Sequence, residues 1–228
     1  MRSDLYDRSL NALEFAISGA HVTTIRLLAK TSPGLLIAPV DRRQRTALHF
    51  AAELTSPLVI ETLISCGAVI DAKDKDGMTP LHLAADTPRG QDRQSVISAL
   101  VEGGSNVNTA DRSGCTPLNH ACRQNNFETA QTLIINGADV DGNGEDCELV
   151  DQDRPYSPLW YAVHNFNEGM VSLLLEKAAV VTTHVGGFGL SFPMPIRHGK
   201  EIQQLLRKYN EESRIVERED HDDYDWAG

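Results

Sequence analysis

The sequence predicts an all-α solenoid, a stack of helix pairs joined by short turns, and three observations support this fold class. A short phrase recurs four times, as Thr46-Ala-Leu-His, Thr79-Pro-Leu-His, Thr116-Pro-Leu-Asn and Ser157-Pro-Leu-Trp. The first residues of these phrases are separated by 33, 37 and 41 positions. A second, leucine-rich phrase that ends in small residues follows at a near-constant distance, as at 63–68 (Leu-Ile-Ser-Cys-Gly-Ala). Self-similarity at a period of about 20–50 residues is typical of repeat architectures.

The recurring phrase predicts the first helix of each pair. Thr and Ser are favourable N-caps, and Pro is tolerated at the first helical position because the missing N–H has no helical partner there. The leucine of each phrase is expected to point into the core, and paired small residues such as Ala84 and Ala85 let neighbouring helices approach closely. The four leucines are Leu48, Leu81, Leu118 and Leu159.

The leucine-rich phrase predicts the second helix of each pair, which is expected to end at Gly67, Gly104 or Gly137. Glycine readily takes the left-handed conformation that terminates many helices. No single pair can bury its apolar face, so neighbouring pairs must stack into a continuous core.

These residues resemble the ankyrin repeat, whose unit of roughly 33 residues carries a Thr-Pro-Leu-His-x-Ala phrase. The resemblance covers roughly residues 5–210 and implies that His49 and His82 brace the turns by hydrogen bonding. The first unit, with Asn11-Ala-Leu-Glu14, and the last, with a second helix at 201–208, are degenerate, as terminal caps are. The implied organisation is five repeats near 5–38, 41–73, 74–110, 111–151 and 152–184, a partial cap at 185–210, and an acidic tail at 211–228.

Two insertions interrupt the period. Four extra residues lie near 87–92, between the helices of the third unit, and eight lie near 144–151, between the fourth and fifth units. Insertions in repeat arrays lie in loops on one face, which is often the binding face. Neutral drift in a solvated loop is the alternative, because extending a loop costs little.

The resemblance also implies a concave partner-binding surface, formed by the turn before each Thr and the residues that end each first helix. The turns carry a basic row, and arginine suits bidentate pairing with carboxylates or phosphates. We therefore expect a protein or peptide partner that is acidic or phosphorylated. The expected partner-binding residues are Arg42, Arg43, Arg45, Lys75, Met78, Arg112, Arg123, Gln124, Tyr156, Trp160, His164 and Asn165.

The basic row has an alternative interpretation as a solvated edge whose charges are offset by aspartates of the same turns. These aspartates are Asp41, Asp74, Asp76, Asp111 and Asp153.

A second function stays open, that of a small-molecule binder or an unorthodox enzyme that uses His120, Tyr161 and His164 beside Trp160. A histidine near neutral pKa suits acid–base chemistry, and an aromatic-lined pocket suits a small ligand. The alternative is a partly buried His120 that only hydrogen-bonds a neighbour. The sequence has no P-loop, no Gly-x-Ser-x-Gly elbow and no zinc-spaced Cys/His set, so neither a cofactor nor a metal is expected.

Charge and composition favour a monomeric cytoplasmic or nuclear protein. The net charge is −11, and the tail at 211–228 holds eight carboxylates against two arginines. An acidic chain is a poor binder of nucleic acid. We expect no membrane span and no secretory signal, and the four cysteines without a Cys-x-x-Cys pattern suggest reduced thiols. The tail, which ends in Tyr224-Asp-Trp226, either folds back onto the arginine edge or is a disordered solubilising segment.

Overall fold

The structure is a computed structural model that describes residues 12–54, 56–87, 93–142, 157–177, 184–185 and 188–189, together with residues 202, 204, 205 and 208. The described residues between 12 and 177 form the predicted helical repeat fold, a series of helix pairs. The helices are α1 (12–18), α2 (Val22–Thr31), α3 (Ala47–Leu54), α4 (Pro57–Ser65), α5 (Pro80–Asp86), α6 (Arg93–Glu102), α7 (Pro117–Arg123), α8 (Phe127–Ile135), α9 (Pro158–His164) and α10 (Glu168–Glu176). A short 3-10 helix at Pro33–Leu36 follows α2.

The first helices of successive pairs pack side by side, α3 on α5, α5 on α7 and α7 on α9. The second helices form a parallel row of contacts, α2 with α4, α4 with α6, α6 with α8 and α8 with α10. Each pair thus contacts its neighbours along the stack, as expected for a solenoid. The arrangement places equivalent residues of successive first helices next to each other.

The predicted start of the first helices is confirmed. Thr79, Thr116 and Ser157 have extended N-cap conformations, and a proline follows each at the first helical position. The hydroxyl of Ser157 accepts a hydrogen bond from the N–H of Trp160 at 3.2 Å. The helices therefore begin where the sequence phrase places them.

The predicted core and helix ends are also confirmed. All four leucines of the phrase are buried, and the paired alanines of α3 and α5 are fully buried. One continuous apolar cluster runs from Leu13 to Ile202. Gly67, Gly104 and Gly137 have φ angles of 94°, 99° and 88°, which is the left-handed conformation expected after a helix.

In the described part of the chain, the turns before α3, α5 and α7 form equivalent fingers, named here finger two (41–45), finger three (74–78) and finger four (111–115). An aspartate begins each finger, and its Oδ1 accepts hydrogen bonds from two backbone N–H groups of the same finger at 2.8–3.0 Å. The N–H of Lys75 donates to the carbonyl of Arg43 at 2.8 Å, and that of Arg112 to the carbonyl of Asp76 at 2.9 Å. Consecutive fingers are therefore joined edge to edge through their backbones.

The predicted C-terminal cap contains a feature that the all-helical expectation did not include. Strands β1 (His184–Val185) and β2 (Phe188–Gly189) pair in antiparallel register, at the boundary between the fifth unit and the cap. Residues 202, 204, 205 and 208 are helical, within the second cap helix predicted at 201–208. The insertion at 144–151, residues 88–92 of the other insertion, Asp153, Tyr156 and the tail at 211–228 lie outside the described residues.

Two further expectations concern the described ranges. None of the helices there is long and apolar enough to cross a bilayer. Cys66, Cys115 and Cys122 are free thiols.

Candidate partner-binding surface

The fingers present a row of exposed basic side chains. Arg42, Arg43, Lys75 and Arg112 are all exposed, and the ion pairs of the described residues do not involve them. The aspartate that begins each finger accepts backbone N–H groups, as described above, and does not cover this row. Asp76 is the one exposed aspartate in fingers two to four.

Arg45 belongs to the predicted row but is turned back onto the protein. Its Nε donates to Asp41 Oδ2 at 2.7 Å, and its Nη1 contacts both carboxylate oxygens of Glu53 at 2.8 Å. Its guanidinium also lies 4.5 Å from the centre of the Phe50 ring. Burial opposes ionisation of Asp41, but the bonds from Arg45 hold the pKa of that carboxyl below its usual value. Arg45 therefore fastens finger two to α3, and the structure gives it an internal role.

Met78 also has an internal role, through its main chain. The ring of His49 accepts the N–H of Thr46 at Nδ1 and donates from Nε2 to the carbonyl of Met78 at 3.0 Å. His82 repeats this arrangement one unit later with Thr79 and the carbonyl of Cys115, at 3.1 and 3.0 Å. Each histidine thus ties its helix to the next finger, which is the bracing that the resemblance implied.

His120 lies at the centre of a polar cluster between the third and fourth units. Its Nε2 lies 2.9 Å from Asp111 Oδ2, and its Nδ1 lies 3.2 Å from Asp86 Oδ1. Asp86 Oδ1 also accepts hydrogen bonds from Arg123 Nη2 at 2.8 Å and Gln124 Nε2 at 2.9 Å. These five residues, His120, Asp86, Asp111, Arg123 and Gln124, are called the His120 cluster below.

The electrostatics of the cluster favour its charged forms. The His120 side chain is only 3% exposed, and burial alone would lower its pKa. Hydrogen bonds to Asp111 and Asp86 outweigh burial and raise the pKa of His120 above its usual value. The same contacts lower the pKa of both carboxyls, against the effect of their own burial. The cluster is therefore an ion-pair network that is buried at His120 and Asp111 and reaches solvent at Arg123, whose side chain is 43% exposed.

His82 lies beside His120, with ring centroids 5.4 Å apart, and the ligand atoms of His82, His120 and Asp111 all lie within 4.8 Å of one another. This grouping has the composition of a metal site. The N–H of Thr79, however, donates to Nδ1 of His82, so the ring proton is on Nε2 and is directed to the carbonyl of Cys115. Because His82 offers no lone pair to the cluster, these residues do not fit a metal ion.

The aromatic residues of α9 form a separate set of contacts. The rings of Trp160 and His164 stack with centroids 4.8 Å apart, and Tyr161 meets Trp160 edge-on at 5.4 Å. His164 is exposed, whereas Trp160 and Tyr161 are half-buried. Asn165, also predicted to contact a partner, donates from Nδ2 to the carbonyl of Cys122 at 2.9 Å and so joins α9 to α7.

Sequence reasoning predicted a pocket shared by His120, Arg123, Tyr161 and His164. Arg123 lies 2.9 Å from Nδ1 of His120 and also interacts electrostatically with Tyr161. In the structure both ring nitrogens of His120 contact residues of α5, finger four and α7, whereas the rings of Tyr161 and His164 pack on Trp160. The predicted pocket did not include Asp86, which was expected only as a residue at the end of a first helix, and Asp111 was treated only as a neutralising charge. A signal for Asp111 was available, because it occupies the same finger position as Asp41 and Asp74 and a histidine stands nine residues later.

Comparisons with known proteins agree with this architecture. A family model described as ankyrin repeats (3 copies) matches residues 56–144. The chain is 32% identical over 164 residues to the B-cell lymphoma 3 protein homolog of Mus musculus. The alignment includes 72% of this chain but 35% of that relative, so the chain spans about a third of its length. The repeated phrases, the stacked helix pairs and these matches show that the chain is an ankyrin-repeat protein.

Proposed function

We propose that this protein is an interaction module, an adaptor, scaffold or regulator, that binds a segment of a partner protein along its fingers and first helices. The ankyrin repeats and the similarity to the B-cell lymphoma 3 protein homolog support a protein-interaction role. The observation that carries the proposal is the exposed basic row on consecutive, backbone-linked fingers. We infer that the partner segment is acidic or phosphorylated.

Charge distribution supports this partner class. The row places four cationic side chains on one edge of a protein whose net charge is −11. The aspartates that begin the fingers satisfy backbone N–H groups, and only Asp76 adds an exposed carboxylate to the edge. Guanidinium groups without an internal partner can form bidentate bonds to carboxylates or phosphates. The solvated-edge interpretation is weakened because Asp41, Asp74 and Asp111 are engaged by groups within the protein, by backbone N–H groups and, for Asp41 and Asp111, by Arg45 and His120.

The α9 aromatics supply a second contact zone in this proposal. The half-buried Trp160 ring stacks on the exposed His164 ring, and the two rings present a flat aromatic surface. Tryptophan, tyrosine and arginine dominate binding hot spots. Tyr156 is assigned to the same zone as a prediction and lies outside the described residues.

We infer that the protein acts as a monomer in the cytoplasm or nucleus, where the free thiols of Cys66, Cys115 and Cys122 stay reduced. The small-molecule or enzymatic alternative gains no support from the contacts of His120. Both of its ring nitrogens are occupied by neighbouring side chains, and it is almost fully buried.

The test is affinity capture from the native source with three baits: the wild type, a finger variant and a matched control. The finger variant is Arg43→Gln/Lys75→Gln/Arg112→Gln, and the control is Arg26→Gln/Lys30→Gln/Lys177→Gln, which removes three exposed cations elsewhere. We expect the finger variant alone to lose the partner. Phosphatase treatment of the extract distinguishes a phosphorylated segment from an acidic one. Equal recovery on all three baits would overturn the proposal.

A further inference from the structure

Asp86 is shared among three donors at the end of α5. Its Oδ1 lies 2.8 Å from Arg123 Nη2, 2.9 Å from Gln124 Nε2 and 3.2 Å from His120 Nδ1. The Asp86 side chain is 31% exposed and that of Arg123 is 43% exposed, so incoming groups can reach both. His120 stands behind them, only 3% exposed.

The contacts of His120 fit two protonation states. In the charged ring, Nε2–H donates to Asp111 and Nδ1–H donates to Asp86. In the neutral ring, Nε2–H stays on Asp111, and the lone pair of Nδ1 accepts Arg123 Nη2 at 2.9 Å. The neutral state therefore gives Arg123 two internal acceptors, His120 and Asp86. The charged state leaves Arg123 with Asp86 as its acceptor, and Asp86 is shared with Gln124 and His120.

From this geometry we propose that Arg123 is an anion-binding residue of the groove and that protonation of His120 releases it for a carboxylate or phosphate of the partner. The inference rests on the proposed function, in that the partner segment is acidic. When His120 is charged, Asp86 keeps His120 and Gln124 as partners after a ligand anion takes Arg123. When His120 is neutral, the same displacement leaves Asp86 with Gln124 alone.

The charge of the cluster leads to the same conclusion. The charged and titratable groups that face His120 are His82, Asp86, Asp111 and Arg123, from α5, finger four and α7. Arg123 also interacts with Cys115 of finger four and Tyr161 of α9, both of which are neutral near pH 7. With charged His120, two cations balance two carboxylates. With neutral His120 the cluster carries one net negative charge, which repels an incoming anion. Anion binding and protonation of His120 therefore favour each other, and the coupling is reciprocal.

The pKa values of the two neighbouring histidines are shifted in opposite directions. The contacts with Asp111 and Asp86 raise the pKa of His120 above the ordinary histidine value, so the charged form is populated near neutral pH. Burial lowers the pKa of His82 to about 4, which keeps that ring neutral over the same range. A pH effect near neutrality is therefore assigned to His120.

The test uses the full chain and a fluorescent peptide of about ten glutamates, because glutamate carboxylates stay ionised well above their pKa of about 4.3. We expect the affinity for this peptide to fall about tenfold between about pH 6 and 8.5. A change of this size follows if binding raises the pKa of His120 by about one pH unit. Calorimetry in buffers of different ionisation enthalpy should show proton uptake on binding. Arg123→Gln and His120→Gln should each flatten the pH profile. His21→Gln, which removes an exposed ring outside both proposed contact zones, should leave it unchanged.

NMR titration of the His120 ring in the wild type gives a readout that does not depend on variant stability. We expect its pKa to rise when peptide is added, and an unchanged pKa or a flat wild-type profile would overturn the proposal. The finger variant should weaken binding at every pH without changing the slope. If the finger variant binds normally while Arg123→Gln does not, the basic row is not the binding edge, but the role of Arg123 and His120 stands. If Arg123→Gln binds normally while the finger variant does not, only the role of Arg123 and His120 is overturned.

Discussion

Nε2 of His120 lies 2.9 Å from Oδ2 of Asp111, and their side chains are only 3% and 7% exposed. In the two preceding repeats the position of His120 is occupied by Phe50 and Leu83. The free-energy cost of desolvating a buried ion pair can exceed the attraction between its charges. An apolar contact at the same place often stabilises the fold equally well or better. The third and fourth units therefore hold a charged contact where the array ordinarily uses a hydrophobic one.

Loss of the histidine should leave Asp111 buried without its cation. We expect His120→Leu to lower the free energy of unfolding by about 2–3 kcal/mol near pH 6. Because the folded pKa of His120 is raised, the stability from its charge is complete below its unfolded pKa and is lost as pH rises through the folded pKa. Urea unfolding across this range measures the effect.

The double variant His120→Leu/Asp111→Asn should recover part of the stability, because no buried carboxylate remains. His164→Leu serves as the control at an exposed ring. If His120→Leu is as stable as the wild type near pH 6, the ion pair contributes nothing.

His82 should show the opposite pH dependence. Burial lowers its folded pKa to about 4, so the unfolded chain binds a proton first as the solution is acidified. The neutral ring therefore contributes stability above about pH 6.5 that is lost towards pH 4, on the order of 3 kcal/mol. His82→Asn should flatten this acid limb in denaturant titrations.

The asparagine variant should still fold, because Asn119 already fills the equivalent position and its Oδ1 accepts the N–H of Thr116 at 2.9 Å. At neutral pH the free energy of unfolding of His82→Asn should be about 1 kcal/mol lower than that of the wild type, because the bond to the carbonyl of Cys115 is lost. An acid limb as steep in His82→Asn as in the wild type would contradict the assignment.

Gly77 should tolerate alanine less well than Gly67, because a neighbouring backbone lies close to Gly77 only. Its φ is 77°, and an added Cβ would lie 2.8 Å from the backbone nitrogen of Arg112. Gly67 has a similar φ of 94° but open space around it. We expect Gly67→Ala to lower the free energy of unfolding by about 1 kcal/mol, from backbone strain alone. Gly77→Ala should lower it by at least about 1 kcal/mol more, because the added Cβ also meets the Arg112 backbone.

Thermal and urea unfolding of both alanine variants decides this point. Gly77→Ala should also weaken capture of the partner, because the displaced Arg112 backbone breaks the link between fingers three and four. Equal destabilisation of the two variants would show that the close approach of the fingers is not required.

Phe166 has a backbone conformation that bulky residues rarely adopt. Its φ is 53°, and Ala20 and Asn125 occupy the equivalent turn positions with φ angles of 53° and 55°. Asparagine tolerates this region better than phenylalanine. We expect Phe166→Asn to raise the free energy of unfolding by about 0.5 kcal/mol.

The matched control is Phe15→Asn, the same exchange at an exposed phenylalanine within α1. There the backbone is helical and asparagine is a poorer helix former, so stability should fall. A gain at both positions would indicate that removing exposed aromatic surface, and not relief of strain, is responsible. A loss of partner capture in Phe166→Asn would place this ring in the binding surface.

Local chemistry explains why so much of the fold follows from the sequence. Thr or Ser before Pro-Leu begins a helix, and a glycine after Leu-Ile ends one, because caps and left-handed turns depend on neighbouring residues. The buried leucines and the left-handed glycines are where the repeat phrase predicts them. The bracing role of His49 and His82 also agrees with the repeat phrase, because both residues occupy the same position in their units and make equivalent hydrogen bonds.

The binding surface was only partly predictable, because the direction of a charged side chain depends on residues far away in sequence. Arg43 and Arg45 are two positions apart, yet one is exposed and the other is held by Glu53. Asp86 and Arg123 meet across 37 residues. Nothing in the local sequence of either residue indicates this contact.

The sequence by itself determined the repeat, the register of the helices and the residues at equivalent positions, because these rest on short-range backbone preferences and on periodic apolar burial. Only the tertiary structure decided which charges face outward and which pair internally. Stacking of α5, α7 and finger four brings Asp86, Asp111 and His120 together, and their mutual electrostatics, absent from any one segment, set the protonation of the cluster.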